Sequence, residues 1–172
     1  MEEESVVTIK TYQQLAMRTC LPTAKNRTYA MENYFAEFFE LLAKIKSYHA
    51  KKIRDGKDFA EFEMIDRIKD EIGDCFWQLA LCCQIEKLKF KDVFCSVPIS
   101  SWIQAPDDVI QSIDCQVRYR HIGITKIQNE MSRVLAVCTR YNINPIECLQ
   151  RNIQKLASRA QRGVLKGSGD NR

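Results

Sequence analysis

Two pairs of acidic residues are spaced for one face of a helix and lie among apolar side chains. Glu37 and Glu40 occupy a narrow polar stripe in a segment whose other residues are mostly apolar. Glu71 and Asp74 have the same spacing, and the apolar run after Asp74 contains Gln78 as its only polar side chain. A carboxylate in such surroundings is costly to bury unless it is paired or binds a metal ion. The four acids are therefore candidate metal ligands.

The two helices that carry these pairs are predicted to form an antiparallel hairpin. The charged turn at 54–58 is the only breaker between the two helical patterns. In an antiparallel hairpin, residues that lie equally far before and after the turn are neighbours. For a turn at 55–56, the numbers of such neighbours add up to about 111. This register places Glu40 beside Glu71 and Glu37 beside Asp74, so four carboxylates are expected at one level.

Four acids in an apolar bundle repel each other, and divalent cations would neutralise them. Ligands that are all oxygens, without histidine or cysteine, favour Mg²⁺, with Mn²⁺ as a possible substitute. Because Mg²⁺ keeps positions for water and phosphate oxygens, such a site indicates phosphoryl or nucleotidyl chemistry. Two alternatives remain open, because short acidic motifs are common: two unrelated surface pairs, or a carboxylate-bearing contact in an oligomer.

A basic stripe near the C-terminal end is the second functional pattern. Its members recur every three or four residues, which stacks them on one helix face: Arg151, Lys155, Arg159, Arg162 and Lys166. No acidic residue lies between them, so the sequence predicts an uncompensated face that binds anionic phosphate. An ordinary amphipathic surface helix explains the spacing equally well. The stripe contains no aromatic residue, which argues against a platform for single-stranded nucleic acid.

The remaining patterns predict an all-α fold, a helical bundle built on the antiparallel hairpin, in a single domain at 1–172. Strand signals are nearly absent, and helix starts are well marked. Thr11-x-x-Gln14 and Asp58-x-x-Glu61 are predicted capping boxes, and Asn144 is a predicted cap that precedes a proline at the first helical position. The glycine-containing tail at 163–172 is expected to be flexible or ordered by a ligand. The expected helices lie near 11–20, 29–54, 59–88, 106–118, 121–141 and 145–163.

Composition limits the class of protein further. The net charge of +4 is mild, and no apolar run approaches the roughly 20 residues that cross a bilayer, so no membrane partner is expected. The eight cysteines include no C-x-x-C pair and are interpreted as buried free thiols of a reducing compartment. The acidic N-terminal residues do not resemble a secretory signal, so a cytosolic location is expected, in the host cytosol if the protein is phage-encoded.

The acidic motifs resemble the metal-binding motif of the MazG-like all-α nucleoside triphosphate pyrophosphohydrolases. The resemblance rests on Glu37-x-x-Glu40 in one helix and Glu71-x-x-Asp74 in the next. The basic segment Asn152-x-x-Lys155-Leu156-x-x-Arg159 is similar to the phosphate-facing helix of the family. The resemblance covers about 10–88 and 142–172, and the C-terminal tail is similar to that of phage-type and bacterial single-domain members.

The resemblance implies that an NTP or dNTP is cleaved between its α- and β-phosphates, giving the monophosphate and pyrophosphate. Its implied metal ligands are Glu37, Glu40, Glu71 and Asp74, with Mg²⁺ as the cofactor.

Individual roles follow from the same resemblance. Glu40 is preferred as the acceptor of the proton of the attacking water, because the register places it in the middle of the cluster. Lys155 and Arg159 would neutralise charge on the phosphates, and Asn152 would be a polar substrate contact. Trp77 either stacks on the base or belongs to the core, and its apolar surroundings favour the core.

The expected partners are a nucleoside triphosphate substrate and further copies of the chain. A homodimer or homotetramer is expected because the motif helices are apolar around most of their circumference. Nucleic acid is not an expected partner. The rival hypothesis is a non-catalytic helical module that binds nucleic acid or an acidic partner through the basic C-terminal helix.

Overall fold

The computed structural model describes residues 6–56, 61–98 and 123–163, apart from the side chains of residues 61 and 62. These ranges contain helices and no strand, so the all-α prediction is confirmed. A 3₁₀ turn spans Pro22–Ala24. The helices are α1 at Ile9–Met17, α2 at Arg27–Asp55, α3 at Glu61–Ile85, α4 at Phe90–Ser96, α5 at Ile124–Arg140 and α6 at Pro145–Gln161.

Helix α1 begins earlier than predicted because its N-cap is Thr8. The Thr8 hydroxyl accepts from the backbone N–H of Thr11 at 3.2 Å, and the Thr11 hydroxyl accepts from the N–H of Thr8 at 2.9 Å. Thr11 is thus the third helical residue, and its assignment as the cap was wrong. The Asn144 cap of α6 is confirmed, since its side chain accepts from the N–H of Ile146.

Helix α4 was not predicted, because its seven residues are too few to show a helical period. The predicted helix at 106–118, the predicted cap at Asp58 and the tail beyond Gly163 lie outside the described residues.

The hairpin turn begins at Gly56, which ends α2 in the left-handed conformation with φ of +59°. Its N–H donates to the carbonyl of Lys52 at 3.1 Å, a C-cap that glycine adopts without strain. Helices α2 and α3 then pack antiparallel, since Met31 near the start of α2 meets Cys82 near the end of α3. The hairpin prediction therefore agrees with the structure.

Helix α3 is the central helix, and each of the other helices in the described ranges packs against it. The largest fully buried side chains come from four helices: Tyr12, Met31, Tyr34, Phe38, Leu41, Ile68, Ile72, Phe76, Leu79, Leu81 and Phe90. Within the described ranges, no helix combines the length and the apolar character needed to span a bilayer.

The cysteines only partly match their prediction. Five of them are buried free thiols: Cys75, Cys82, Cys83, Cys138 and Cys148. Cys20 is only half-buried and Cys95 is exposed, because each lies near the end of a short helix. Cys115 lies outside the described residues.

Gly73 allows α6 to approach α3 closely. A Cβ atom at this position would lie 3.0 Å from both the Asn152 Cβ and the Cys148 carbonyl oxygen. The carbonyl belongs to the backbone of α6 and cannot move away independently. The glycine therefore sets the spacing that brings the side chains of α6 to the acids of α3.

Candidate active site

Three carboxylates from two helices converge in the middle of the hairpin. Oxygen atoms of Glu37 on α2 and of Glu71 and Asp74 on α3 all lie within 4.8 Å of one another. Three hard oxygen donors at this spacing fit one divalent cation such as Mg²⁺ after small movements of their side chains. The residues present therefore suit the metal that the sequence predicts.

Glu40 lies at the edge of this cluster. The hairpin register had placed it in the middle, so that expectation was wrong. Its side chain is 50% exposed, and its carboxylate lies 3.5 Å from the Lys44 ammonium. Three residues turn a helix by about 300°, so Glu37 and Glu40 point about 60° apart. Helix α3 packs on the side of Glu37, which leaves Glu40 towards solvent.

Two lysines neutralise two of the three clustered acids. Lys44 of α2 pairs with the buried Glu71, and Lys155 of α6 donates to Asp74 at 2.5 Å. Glu37 has neither a hydrogen bond nor an ion pair among the described residues. A cation that enters the cluster would therefore compete with both lysines and would meet Glu37 as the one unpaired acid.

Burial and mutual repulsion alter the proton affinities of the cluster. Burial, followed by the charges of Asp74 and Glu71, raises the pKa of Glu37 from 4.5 to about 7. Burial also raises the pKa values of Glu71 and Asp74, although Lys44 and Lys155 respectively oppose the increase. Without metal, the carboxylates of the folded protein therefore keep their protons at pH values at which the same groups of the unfolded chain have released them.

Metal-free protein is expected to lose stability as the pH rises from about 4.5 to 7. In this window the folded state keeps the Glu37 proton and the unfolded state releases it, so deprotonation favours unfolding. The Glu37→Gln variant should have a midpoint of thermal unfolding at pH 8 that is higher by about 5 °C. Thermal unfolding in EDTA between pH 5 and 8 measures both effects, with Glu32→Gln on the exposed face of α2 as control. Equal slopes for Glu37→Gln and wild type would contradict the prediction.

Asn152 supports a candidate ligand, and both ends of its side-chain amide form hydrogen bonds within the protein. It is 2% exposed, and its Nδ2 donates to Asp74 Oδ1 at 3.0 Å. The Tyr12 hydroxyl donates to Asn152 Oδ1 at 3.0 Å and thereby fixes the orientation of the amide. The expected substrate contact is corrected to a chain of hydrogen bonds from Tyr12 through Asn152 that orients Asp74.

The basic stripe is partly neutralised, contrary to its prediction. Arg151 donates to Asp66 and Asp70 of α3, at 2.9 Å in each case, and Lys155 is paired with Asp74. The neutralising acids belong to α3, so the sequence of the stripe itself contains no sign of them. Lys166 lies outside the described residues.

Arg159 and Trp77 have different environments. Arg159 is half-buried on α6, has no ion pair among the described residues, and is close enough for its charge to act on Asp74. The Trp77 indole N–H donates to the carbonyl of Ala16 at 3.2 Å, and the ring packs against the core. Trp77 thus attaches α1 to α3, in keeping with the core alternative.

Residues 26–97 match the family model described as the MazG nucleotide pyrophosphohydrolase domain. This segment of the chain is MazG-like. No curated protein and no solved structure matches the chain. The matched segment runs from the cap of α2 to the end of α4 and contains all four acids of the predicted motif. The family that this model describes consists of nucleotide pyrophosphohydrolases, which are hydrolases.

Three residues of the candidate site were missed as site residues. Lys44 follows Glu40 by four residues on the same polar stripe, a spacing that signals an ion pair. Gly73 directly precedes Asp74 within an otherwise good helical pattern, which is a signal for close packing. Tyr12 has no comparable signal, because its partner Asn152 lies far away in the sequence.

Proposed function

We propose that the protein is a Mg²⁺-dependent nucleoside triphosphate pyrophosphohydrolase, which converts an NTP or dNTP to the monophosphate and pyrophosphate. The observation that supports this most directly is the convergence of Glu37, Glu71 and Asp74 within a MazG-like segment. These three would hold the ion, and Mn²⁺ is a possible substitute. When bound, Mg²⁺ supplies positive charge to the phosphate oxygens and lowers the pKa of a water molecule.

The side chains around the cluster have distinct roles in this proposal. Glu40 lies outside the group of three ligands, so its carboxylate is available to accept the proton of the attacking water. Lys155, displaced from Asp74 by the ion, would neutralise charge on the triphosphate together with Arg159. Asn152 holds Asp74 in a fixed orientation throughout.

The rival nucleic-acid module has less support. It requires a free basic face on α6, but Arg151 and Lys155 are paired with acids of α3. A nucleic-acid backbone would have to displace these pairs along the whole stripe. A single triphosphate at the end of the stripe requires the displacement of Lys155 only.

Product analysis tests the proposal. Purified protein is incubated with a panel of ribo- and deoxyribonucleoside triphosphates, with and without Mg²⁺, and the products are separated by anion-exchange chromatography. The expected products are the monophosphate and pyrophosphate, formed only with a divalent ion. Diphosphate and orthophosphate as the products, or no turnover of any triphosphate, would refute the proposal.

A further copy of the chain is the proposed partner, as a homodimer or homotetramer. Helix α2 has an exposed seam of apolar or small residues at the seven-residue spacing of helices that pair along their length. The seam comprises Tyr29, Ala36, Phe39, Ala43, Ala50 and Ile53. Glu32 and Lys46 occupy the two remaining positions of the seam. If two α2 helices pair antiparallel, Glu32 of one copy lies close to Lys46 of the other copy.

A cytosolic location is proposed as well, on the basis of the sequence.

Charges placed in the seam are expected to separate the copies. The double variant Phe39→Glu and Ile53→Glu should be a monomer at micromolar concentration, because paired helices would bury four uncompensated acids. Light scattering coupled to size exclusion measures the mass. Val6→Glu is the control, since Val6 is 73% exposed and lies outside α2. A monomeric wild type would contradict the expected assembly.

A further inference from the structure

Gln78 is the one buried side chain whose polar atom lacks a partner in the described part of the chain. Its side-chain Oε1 accepts no hydrogen bond, and the residue is only 6% exposed. Leaving a buried acceptor unsatisfied costs free energy comparable to that of a lost hydrogen bond. A glutamine at this position, in the apolar part of α3, therefore suggests that Oε1 acquires a donor in the working protein.

The position of Gln78 follows from two contacts between α2 and α3. Asp74 lies beside Glu37, and Cys82 lies beside Met31 at 3.6 Å. Gln78 is one helical turn from each of these α3 residues and on the same stripe. It therefore faces the stretch of α2 between Met31 and Glu37, about one turn, or 6 Å, along α3 from the carboxylate cluster.

A second amide belongs to this stretch of α2. Asn33 is half-buried and lies one turn before Glu37 on the polar stripe of α2. Its Nδ2 donates to the carbonyl of Tyr29 at 3.0 Å, which fixes that end of the side chain. On the side of Gln78, the residue of the α2 polar stripe that adjoins the carboxylates is thus the neutral Asn33, whereas the opposite end of the stripe carries Lys44.

We infer that Gln78 is a nucleoside contact, which accepts a hydrogen bond from an N–H or O–H group of the base or sugar of the bound nucleotide. This inference rests on the proposed function and adds to it a residue that determines specificity. Phosphate oxygens cannot satisfy Oε1, because ionised phosphate oxygens are acceptors. The base and the sugar are the parts of a nucleotide that carry suitable donors, and the cluster one turn away would hold the phosphates.

Binding measurements separate this contact from the chemistry. Isothermal titration calorimetry in Mg²⁺ compares α,β-methylene analogues of the ribo- and deoxyribonucleoside triphosphates with inorganic tripolyphosphate. Gln78→Met should weaken binding of the nucleotide analogues by at least about 10-fold, the effect of one lost hydrogen bond to a buried group. Its affinity for tripolyphosphate should stay that of wild type. Gln78→Asn keeps an amide but shortens the side chain, and should give an intermediate loss.

The pattern of the loss identifies the donor. An equal loss for all bases and both sugars indicates a sugar hydroxyl common to them, a loss restricted to ribonucleotides indicates the 2′-hydroxyl, and a loss restricted to certain bases indicates a base N–H. Gln84→Met, on the exposed surface of the same helix, is the matched control and should bind every ligand normally. The ligand-free Gln78→Met protein should unfold at the same temperature as wild type or higher, because an unsatisfied amide has been removed.

Two results would overturn the inference. Wild-type affinity of Gln78→Met for every nucleotide analogue would show that Oε1 makes no contact with the bound nucleotide. An equal loss of tripolyphosphate binding would place Gln78 in support of the metal cluster. Either result leaves the proposed hydrolysis intact if wild type still releases pyrophosphate, whereas failure of wild type to hydrolyse any triphosphate refutes the proposed function itself.

Discussion

Glu37→Gln is expected to lower turnover of nucleoside triphosphates by at least about 100-fold, the upper end of the effect of removing a group that merely supports a metal ligand. Glu37 is the clustered acid without a cationic partner in the described structure, so its charge is the one most available to a metal ion. Glu71→Gln and Asp74→Asn should reduce turnover comparably. Steady-state kinetics and Mg²⁺ titrations measure the losses, and circular dichroism checks the fold.

The effect on stability distinguishes the three acids. Replacing Glu37 removes a repelling charge and should stabilise the metal-free protein. Replacing Glu71 or Asp74 removes the ion pair with Lys44 or Lys155, respectively, so the same gain is not expected. Activity close to that of wild type in all three variants would refute the carboxylate site.

Glu40→Gln provides the matched comparison on the same helix. Because Glu40 lies outside the group of three ligands, this variant should retain most of its Mg²⁺ affinity and yet lose turnover. A loss of Mg²⁺ affinity as large as that of Glu37→Gln would make Glu40 a fourth ligand, as the sequence first suggested.

Arg159→Ala is expected to lower kcat/KM by about 10- to 100-fold, the value of one charge-assisted hydrogen bond to a phosphate. Arg159 has no ion pair in the described ranges, so its guanidinium is free to bind an anion. Arg159→Lys keeps the charge but loses the planar pair of donors, and should fall between wild type and Arg159→Ala. Initial rates at low substrate concentration give kcat/KM directly.

Controls on the same helix separate contact from general attraction. Arg162→Ala removes an exposed charge one turn further along α6 and should change kcat/KM little. Arg151→Ala should mainly reduce stability, because Arg151 joins α6 to Asp66 and Asp70. Equal modest losses in Arg159→Ala and Arg162→Ala that disappear at high salt would show a diffuse electrostatic effect instead of a contact.

The hairpin and the convergence of the acids could be predicted from the sequence, because helical period and turn position determine which residues share a level. The position of Glu40 could not, since an angular difference of about 60° between Glu37 and Glu40 becomes meaningful only once the packing side of α3 is known. The distance of a residue from the turn determines its position along the hairpin axis, but it does not determine how each helix is rotated about its own axis.

The errors in α6 have a different cause. Arg151 and Asn152 have their partners in α3, more than 70 residues earlier, so inspection of α6 alone suggested a free basic face and a substrate contact. Pairings between helices distant in sequence depend on tertiary packing, which no local pattern contains. Gly73 was the local sign of this contact, because its missing side chain marks the surface on which α6 lies.

The support for Asp74 comes from outside the matched segment, which ends at residue 97 while Asn152 and Lys155 belong to α6. A fragment excised at 26–97 would keep every acid of the motif but would lose the amide that orients Asp74 and the lysine that balances its charge. It would also expose the surface around Gly73. Expression fragments for functional work should therefore extend through Gln161, and deletions that stop before α6 would give a misleadingly inactive protein.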